Sequence, residues 1–261
     1  RAFNNTSTPN INELIKQGAH SLKAEAVLPT VSSPNWASMI NGASPRQHHI
    51  RSNSWEMKKI KNKSYCGQTN GELFPTIFKL VREQRPNIRI ECIHHWQGFA
   101  RLTNQSSLDT IFHTADEYST LQTTCERIRS AKPDFLFVHF DHVDHAGHEY
   151  GYFTEPYYKA VHTADSMVGV IVQTLKDEWL YDETYIFITA DHGGNKKGHG
   201  GRTRQEIEIP WILKGPTVKA GHIVKTTVKQ FDTAPTIARI YKLQVPDCWI
   251  GKPVNEVFVN E

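Results

Sequence analysis

Two runs of consecutive apolar residues in this chain end in the same way. Residues 134–140 (DFLFVHF) run into Asp141-His142-Val143-Asp144-His145-Ala146-Gly147-His148, and residues 184–190 (TYIFITA) run into Asp191-His192-Gly193-Gly194. A strand that is apolar on both sides of its pleat must be covered on both faces, which describes a parallel sheet sandwiched between helices. The rest of the chain supplies those helices. Ile11, Leu14 and Ile15 at helical spacing predict a helix over 9–18 that stops at Gly18. Residues 20–29 read as a strand entering a Pro-containing loop, and 34–42 as a helix with Pro34 in its first turn. Helices are expected over 73–84, 117–131 and 157–176, and strands over 88–95 and 209–213. The expected architecture is a three-layer α/β/α domain with a central, mostly parallel sheet. No linker divides residues 1–261, so one domain is expected.

In such sheets ligands bind at the carboxyl ends of the strands, where three polar clusters fall: the two Asp/His runs and the turn 29–35 (PTVSSPN). The chain holds 14 histidines among 261 residues, a frequency that raises metal ligation or acid–base chemistry. Asp144 and His148 are four apart, so one loop or helical turn can aim a carboxylate and an imidazole at one cation. Asp191 and His192 leave a strand end together, and His199 lies between glycines that allow close approach. Mixed imidazole and carboxylate ligands suit Zn²⁺, with Mn²⁺ as a substitute. Any single pair reads equally as a surface His–Asp hydrogen bond; three clusters at strand ends favour a metal site. Ser32 and Ser33 precede a predicted helix, where either serves as an N-cap or as a nucleophile near the positive helix end.

Other features exclude more than they assign. No apolar run reaches the ~18 residues of a membrane span. The net charge of +3 comes without a basic block, which argues against a nucleic-acid scaffold. Cys66, Cys92, Cys125 and Cys248 form no C-x-x-C pair, and both disulfides and buried free thiols stay open. Arg202 and Arg204 read as solvated charges, and Trp36, Trp55 and Trp96 as packing residues.

In their order, these residues resemble the alkaline phosphatase superfamily and, within it, the type I phosphodiesterase/nucleotide pyrophosphatase family. The carrying motifs are residues 8–19, the turn 29–35, residues 41–50, Asn53, Asp144-x-x-Gly147-His148 and Asp191-His192-Gly193, together spanning most of the chain. The resemblance implies a metal-dependent phosphoric ester hydrolase acting on a small phosphate ester. By that likeness Ser32, not Ser33, is the nucleophile, forming a phosphoseryl intermediate, and Asn53 supports the transferring phosphoryl group. Asp144, His148 and His199 would hold one divalent ion, and Asp191, His192 and Ser32 the other, with zinc expected in both. His142 and His145 would be supporting groups in the same loop. Export to a periplasmic or extracellular location is expected from the same likeness.

Departures from the family pattern qualify the implied chemistry. The family carries a further metal-binding aspartate in an Asp-Gly-x-Arg context, whereas this chain begins at Arg1. If Arg1 is that arginine, a first core strand and one ligand are missing, and weak binding of the second metal is expected. A metal-binding pseudo-enzyme is the non-catalytic alternative on that ground. Serine stands where nucleotide pyrophosphatases usually have threonine, and His199 follows Asp191 by only eight residues. Both keep a phosphomonoesterase open as an alternative. A sulfatase is disfavoured because Trp36 stands where the fourth position after Ser32 would need arginine.

Overall fold

A computed structural model describes residues 2–60, 66 and 72–259; Arg1, on which the expectation of a missing strand turns, lies outside them. Helix α1 (Pro9–Gln17) opens with proline at its first turn and is capped from a distance by the buried Asp165 carboxylate, which accepts Ile11 N–H at 2.7 Å. Strand β1 (Ala19–Glu25) follows, one residue early and four short of the expected 20–29, because the chain turns off at Ala26 to enter the 29–35 turn. Helix α2 spans Ser32–Asn41 and ends at Gly42 in the left-handed region, φ 59°. Its N-cap is Val31, so neither serine caps it: Ser32 is already its first residue. Helix α3 (Pro45–His48) starts from a Ser44/Gln47 capping box, and α4 covers Ile77–Gln84.

The second half alternates more regularly. Strand β2 (Ile90–His94) is buried throughout, β3 (Thr110–His113) follows, and α5 (Glu117–Ser130) is capped by Asp116. Strand β4 (Phe135–His139) leads into α6 (His142–Tyr150) and the long α7 (Glu155–Asp177). Strand β5 (Ile186–Thr189), helix α8 (Arg204–Ile207), strands β6 (Glu208–Lys214) and β7 (His222–Ile223) and helix α9 (Thr233–Ile240) complete the order.

Parallel pairing predominates, as expected, with helices on both faces. The strands form two ladders, however: β3-β2-β4, all parallel, and β5-β6-β1-β7, in which β6 runs antiparallel to both neighbours. The exception to parallel pairing is β6, because α8 is a single turn too short for a crossover and the chain doubles straight back along β5. Among the described residues, strands β4 and β5 each pair on one side only, and they are half-buried over most of their length.

The two faces of β2 show the layering. Ile90 and Cys92 pack with Trp36, Ile40, Phe78 and Ala238 from α2, α4 and α9, while buried Glu91 points the other way to pair with half-buried Arg127 of α5 at 2.7 Å. Cys66 and Cys248 form a disulfide closing a loop of 182 residues, and Cys92 and Cys125 are buried free thiols, so both open cysteine readings are realised.

Candidate active site

The site lies where α2, α6 and the segment after β5 converge. Asp144 and His148 sit one turn apart on α6, four residues giving neighbouring positions on one helix face. Asp144 Oδ2 lies 3.3 Å from His148 Nε2, and His199 Nε2 reaches within 3.9 Å of Asp144 Oδ1. Donor atoms of Asp144, His148 and His199 all lie within 4.8 Å of one another. The expected trio is thus brought together.

Main-chain carbonyls decide how these imidazoles face. His148 Nδ1 donates to Lys197 O at 3.0 Å, and His199 Nδ1 donates to Thr30 O at 2.8 Å. With the hydrogen on Nδ1, each neutral ring carries its lone pair on Nε2. The two Nε2 atoms stand 3.1 Å apart. Facing lone pairs at that separation repel, and a cation between them turns the repulsion into coordination. The donor set of two imidazoles and a carboxylate is that of a zinc site, so the residues fit a divalent metal. Burial, and then the neighbouring His192, lower the His199 pKa and keep that ring neutral.

The second group is built around His192, which is 7% exposed. Its Nδ1 donates to Gly193 O at 2.9 Å, again leaving Nε2 as the free nitrogen, 3.2 Å from Asp191 Oδ2 and 3.3 Å from Ser32 Oγ. The His192 and His199 rings stack at 3.8 Å, so the two groups adjoin. Burial pushes the Asp191 carboxyl up to about 6, with His192 opposing the rise and Asp144 adding to it. A pair of acidic groups crowded and desolvated in this way is relieved by positive charge.

The two serines separate clearly. Ser32 Oγ faces His192, whereas Ser33 is fully buried and its hydroxyl has no hydrogen-bond partner among the described residues. Asn53 is exposed and accepts Ser33 N–H at 2.8 Å through Oδ1, which leaves its NH₂ group as the donor beside the helix start. Arg101 holds that loop by donating to Asn53 O at 2.7 Å and Trp55 O at 3.2 Å.

Other expectations resolve differently. His142 turns away, its Nε2 donating to Ala160 O of α7 at 3.2 Å, and His145 is exposed and pairs with Glu149 at 3.3 Å, so neither supports the site. Arg204 is tied to Glu208. Trp36 packs edge-on against Phe99, Phe137 and His139, as a core residue should.

Three contributors escape sequence reasoning. Buried Thr30 accepts Gly200 N–H at 3.0 Å and donates to Gly201 O at 2.9 Å, tying the His199 loop to the turn before Ser32. Glu206 accepts Gly201 N–H at 2.7 Å and Thr203 N–H at 3.0 Å, bracing the far end of that loop. Tyr152 donates its hydroxyl to Asp144 Oδ1, and burial followed by that carboxylate raises the phenol pKa. Thr203-x-x-Glu206 has the spacing of a capping box, a local signal for Glu206, whereas no local pattern announces the contacts of Thr30 or Tyr152.

The model of one family, described as type I phosphodiesterase/nucleotide pyrophosphatase, matches residues 1–199. The chain belongs to that family. Its members sit within the alkaline phosphatase superfamily, and the similar proteins agree. Mouse ectonucleotide pyrophosphatase/phosphodiesterase family member 3 is 26% identical over 198 residues, covering 72% of this chain and 22% of the mouse protein. A venom phosphodiesterase of Crotalus durissus collilineatus is 25% identical over 200 residues, covering 71% and 23%. The chain therefore spans less than a quarter of the length of these relatives. Among solved structures, human ectonucleotide pyrophosphatase/phosphodiesterase 5 superposes with a TM-score of 0.81 at 14% identity, covering 99% of this chain and 96% of that one. A 2-O glycosaminoglycan sulfatase reaches 0.73 at 16% identity over 95% and 68%, a likeness of fold.

Proposed function

We propose that this family member is a metal-dependent phosphoric ester hydrolase, of phosphodiesterase/nucleotide pyrophosphatase type, working through a phosphoseryl intermediate at a two-metal site. One observation carries the reading: three imidazoles, each with Nδ1 bonded to a main-chain carbonyl, turn Nε2 toward the same region as Asp144, Asp191 and Ser32 Oγ. Asp144, His148 and His199 would hold one ion and Asp191, His192 and Ser32 the other. Two such ions, zinc or manganese, would supply positive charge for the attacking and leaving oxygens of an in-line displacement.

The chain's own groups divide the remaining work. Ser32 Oγ stands at the first turn of α2, where main-chain N–H groups and the helix dipole favour an anionic phosphoryl group. It attacks phosphorus as the P–O bond to the ester oxygen breaks, and the alcohol departs. Water then attacks the phosphoseryl group, releasing the phosphate and restoring the serine. The Asn53 NH₂ group donates to a non-bridging oxygen during both displacements. A cavity of about 490 Å³ lined by Trp55, Glu56, Met57, Lys58 and Arg101 opens beside the Asn53 loop and offers room for the second substituent of a diester.

A phosphomonoesterase is the second reading, favoured by the Asn195–Gly198 turn that returns the chain to His199 without a covering segment. No helix among the described residues is long and apolar enough to cross a membrane. The Cys66–Cys248 disulfide supports an extracellular or periplasmic setting.

The test is hydrolysis of bis-p-nitrophenyl phosphate beside p-nitrophenyl phosphate with added Zn²⁺ or Mn²⁺. Ser32→Ala is expected to lose about a thousandfold or more, and Ser33→Ala to keep most activity. Equal turnover by Ser32→Ala and the native sequence would overturn the nucleophile assignment, and the diester-to-monoester ratio decides between the two readings.

A further inference from the structure

Tyr152 follows α6 directly, two residues beyond its last turn. Its side chain is 7% exposed and its phenolic end fills a gap between two stretches of backbone. A Cβ placed on Gly147 of α6 would lie 2.5 Å from Tyr152 Cζ, and one placed on Gly194 would lie 2.2 Å from the same atom. Gly147 immediately precedes His148, and Gly194 is two residues beyond His192. The main chain is pinned as well, with Tyr152 N–H donating to Lys196 O at 2.7 Å. The ring thus touches both chain segments that carry the candidate ligands.

Those segments come from different ladders. Asp144 and His148 follow β4, at one edge of β3-β2-β4, while Asp191, His192 and His199 follow β5, at one edge of β5-β6-β1-β7. Among the described residues no hydrogen-bonded ladder joins β4 to β5. A rigid, buried ring lies against both backbones. Its hydroxyl also occupies one oxygen of Asp144, Oδ1, and leaves Oδ2 facing His148.

We propose that Tyr152 is a positioning residue that sets the separation of the two half-sites: its ring spaces the Gly147 and Gly194 backbones, and its hydroxyl fixes which Asp144 oxygen faces the ion. The proposal rests on the metal-site reading above. Hydrogen bonds to ligating carboxylates change metal affinity by about 10–100-fold when removed.

The test is Zn²⁺ affinity measured by competition with a chromogenic chelator. Tyr152→Phe keeps the ring and loses the hydroxyl, and is expected to bind Zn²⁺ about tenfold or more weakly, with the thermal midpoint of the chelator-treated protein little changed. Gly194→Ala presses on the ring, so its loss of affinity is expected in the native background and largely absent beside Tyr152→Ala, a non-additivity that a merely structural glycine would not show. Equal affinity in Tyr152→Phe and the native sequence, or an equal Gly194→Ala effect in both backgrounds, overturns the positioning role alone. Failure of the native sequence to bind Zn²⁺ overturns the metal reading and this role together.

Discussion

His48 gives the fold an acid limit that can be worked out from three contacts. The ring is 2% exposed, Ile50 N–H donates to its Nδ1 at 3.1 Å, and its Nε2 therefore carries the hydrogen and donates to Ser38 Oγ at 3.0 Å. Both nitrogens are committed in the neutral form, and a proton on Nδ1 would displace the Ile50 bond. Burial, with the nearby charges of His49 and Arg51, lowers its pKa from 6.5 to about 3. The folded state thus binds this proton less readily than the unfolded chain. Stability is then fully present above about pH 6.5 and declines as pH falls from there toward 3. Between pH 7 and 5 the loss is about 2 kcal/mol, and it grows to the order of 5 kcal/mol near pH 3, against a typical total of about 5–15 kcal/mol. Urea unfolding followed by tryptophan fluorescence at several pH values measures it. His48→Asn keeps an acceptor for Ile50 N–H and cannot titrate, so it should be less stable than the native sequence at pH 7 by about 1–2 kcal/mol and should close that gap by pH 5. Parallel stability curves for the two proteins across that range would refute the assignment of the acid sensitivity to His48.

Asp165→Ala should lower stability by about 2–4 kcal/mol in the same urea assay, because it strips three bonds from the start of α1, to Asn10 N, Asn10 Nδ2 and Ile11 N. Gly18→Ala should destabilise by about 2 kcal/mol or more, since the added Cβ meets Leu213 O at 2.3 Å across the β1–β6 pair and neither backbone can yield; a thermal midpoint equal to that of the native sequence would contradict this. Reducing Cys66–Cys248 releases a loop of 182 residues and should lower the urea midpoint by the equivalent of about 2–5 kcal/mol, seen by comparing protein with and without reductant.

Much of this architecture is legible because strands apolar on both sides and clustered Asp/His residues both leave dense local patterns. The run 134–140 is apolar on both sides of the pleat, and β4 lies within it. Asp144 and His148 are four apart because α6 is a helix, and helical spacing is readable whether or not the helix itself is foreseen. The misses have physical reasons. Strand β3 is four residues at a sheet edge, half-buried or exposed, and too short to establish a period. The direction of β6 is invisible, since an apolar run of five reads the same parallel or antiparallel; only the shortness of α8 decides it. Ser32 and Ser33 each suit a cap in sequence, and the helix declines both by starting one residue earlier than a cap requires. Tyr152 and Thr30 act through a few contacts at unrelated separations, among them 8 and 169 positions, and such contacts leave no periodicity to detect.

The half-buried flanks of β4 and β5 have a consequence for how the molecule would lose its order. A divalent ion held, as proposed, by Asp144, His148 and His199 would be a cross-link, tying the end of one ladder to the loop that leaves the other. Its release should loosen more than the loops around it. Amide exchange in the metal-stripped protein should quicken along β4 and β5 together, while β2 and β1, each paired on both sides, keep the protection of their own ladders.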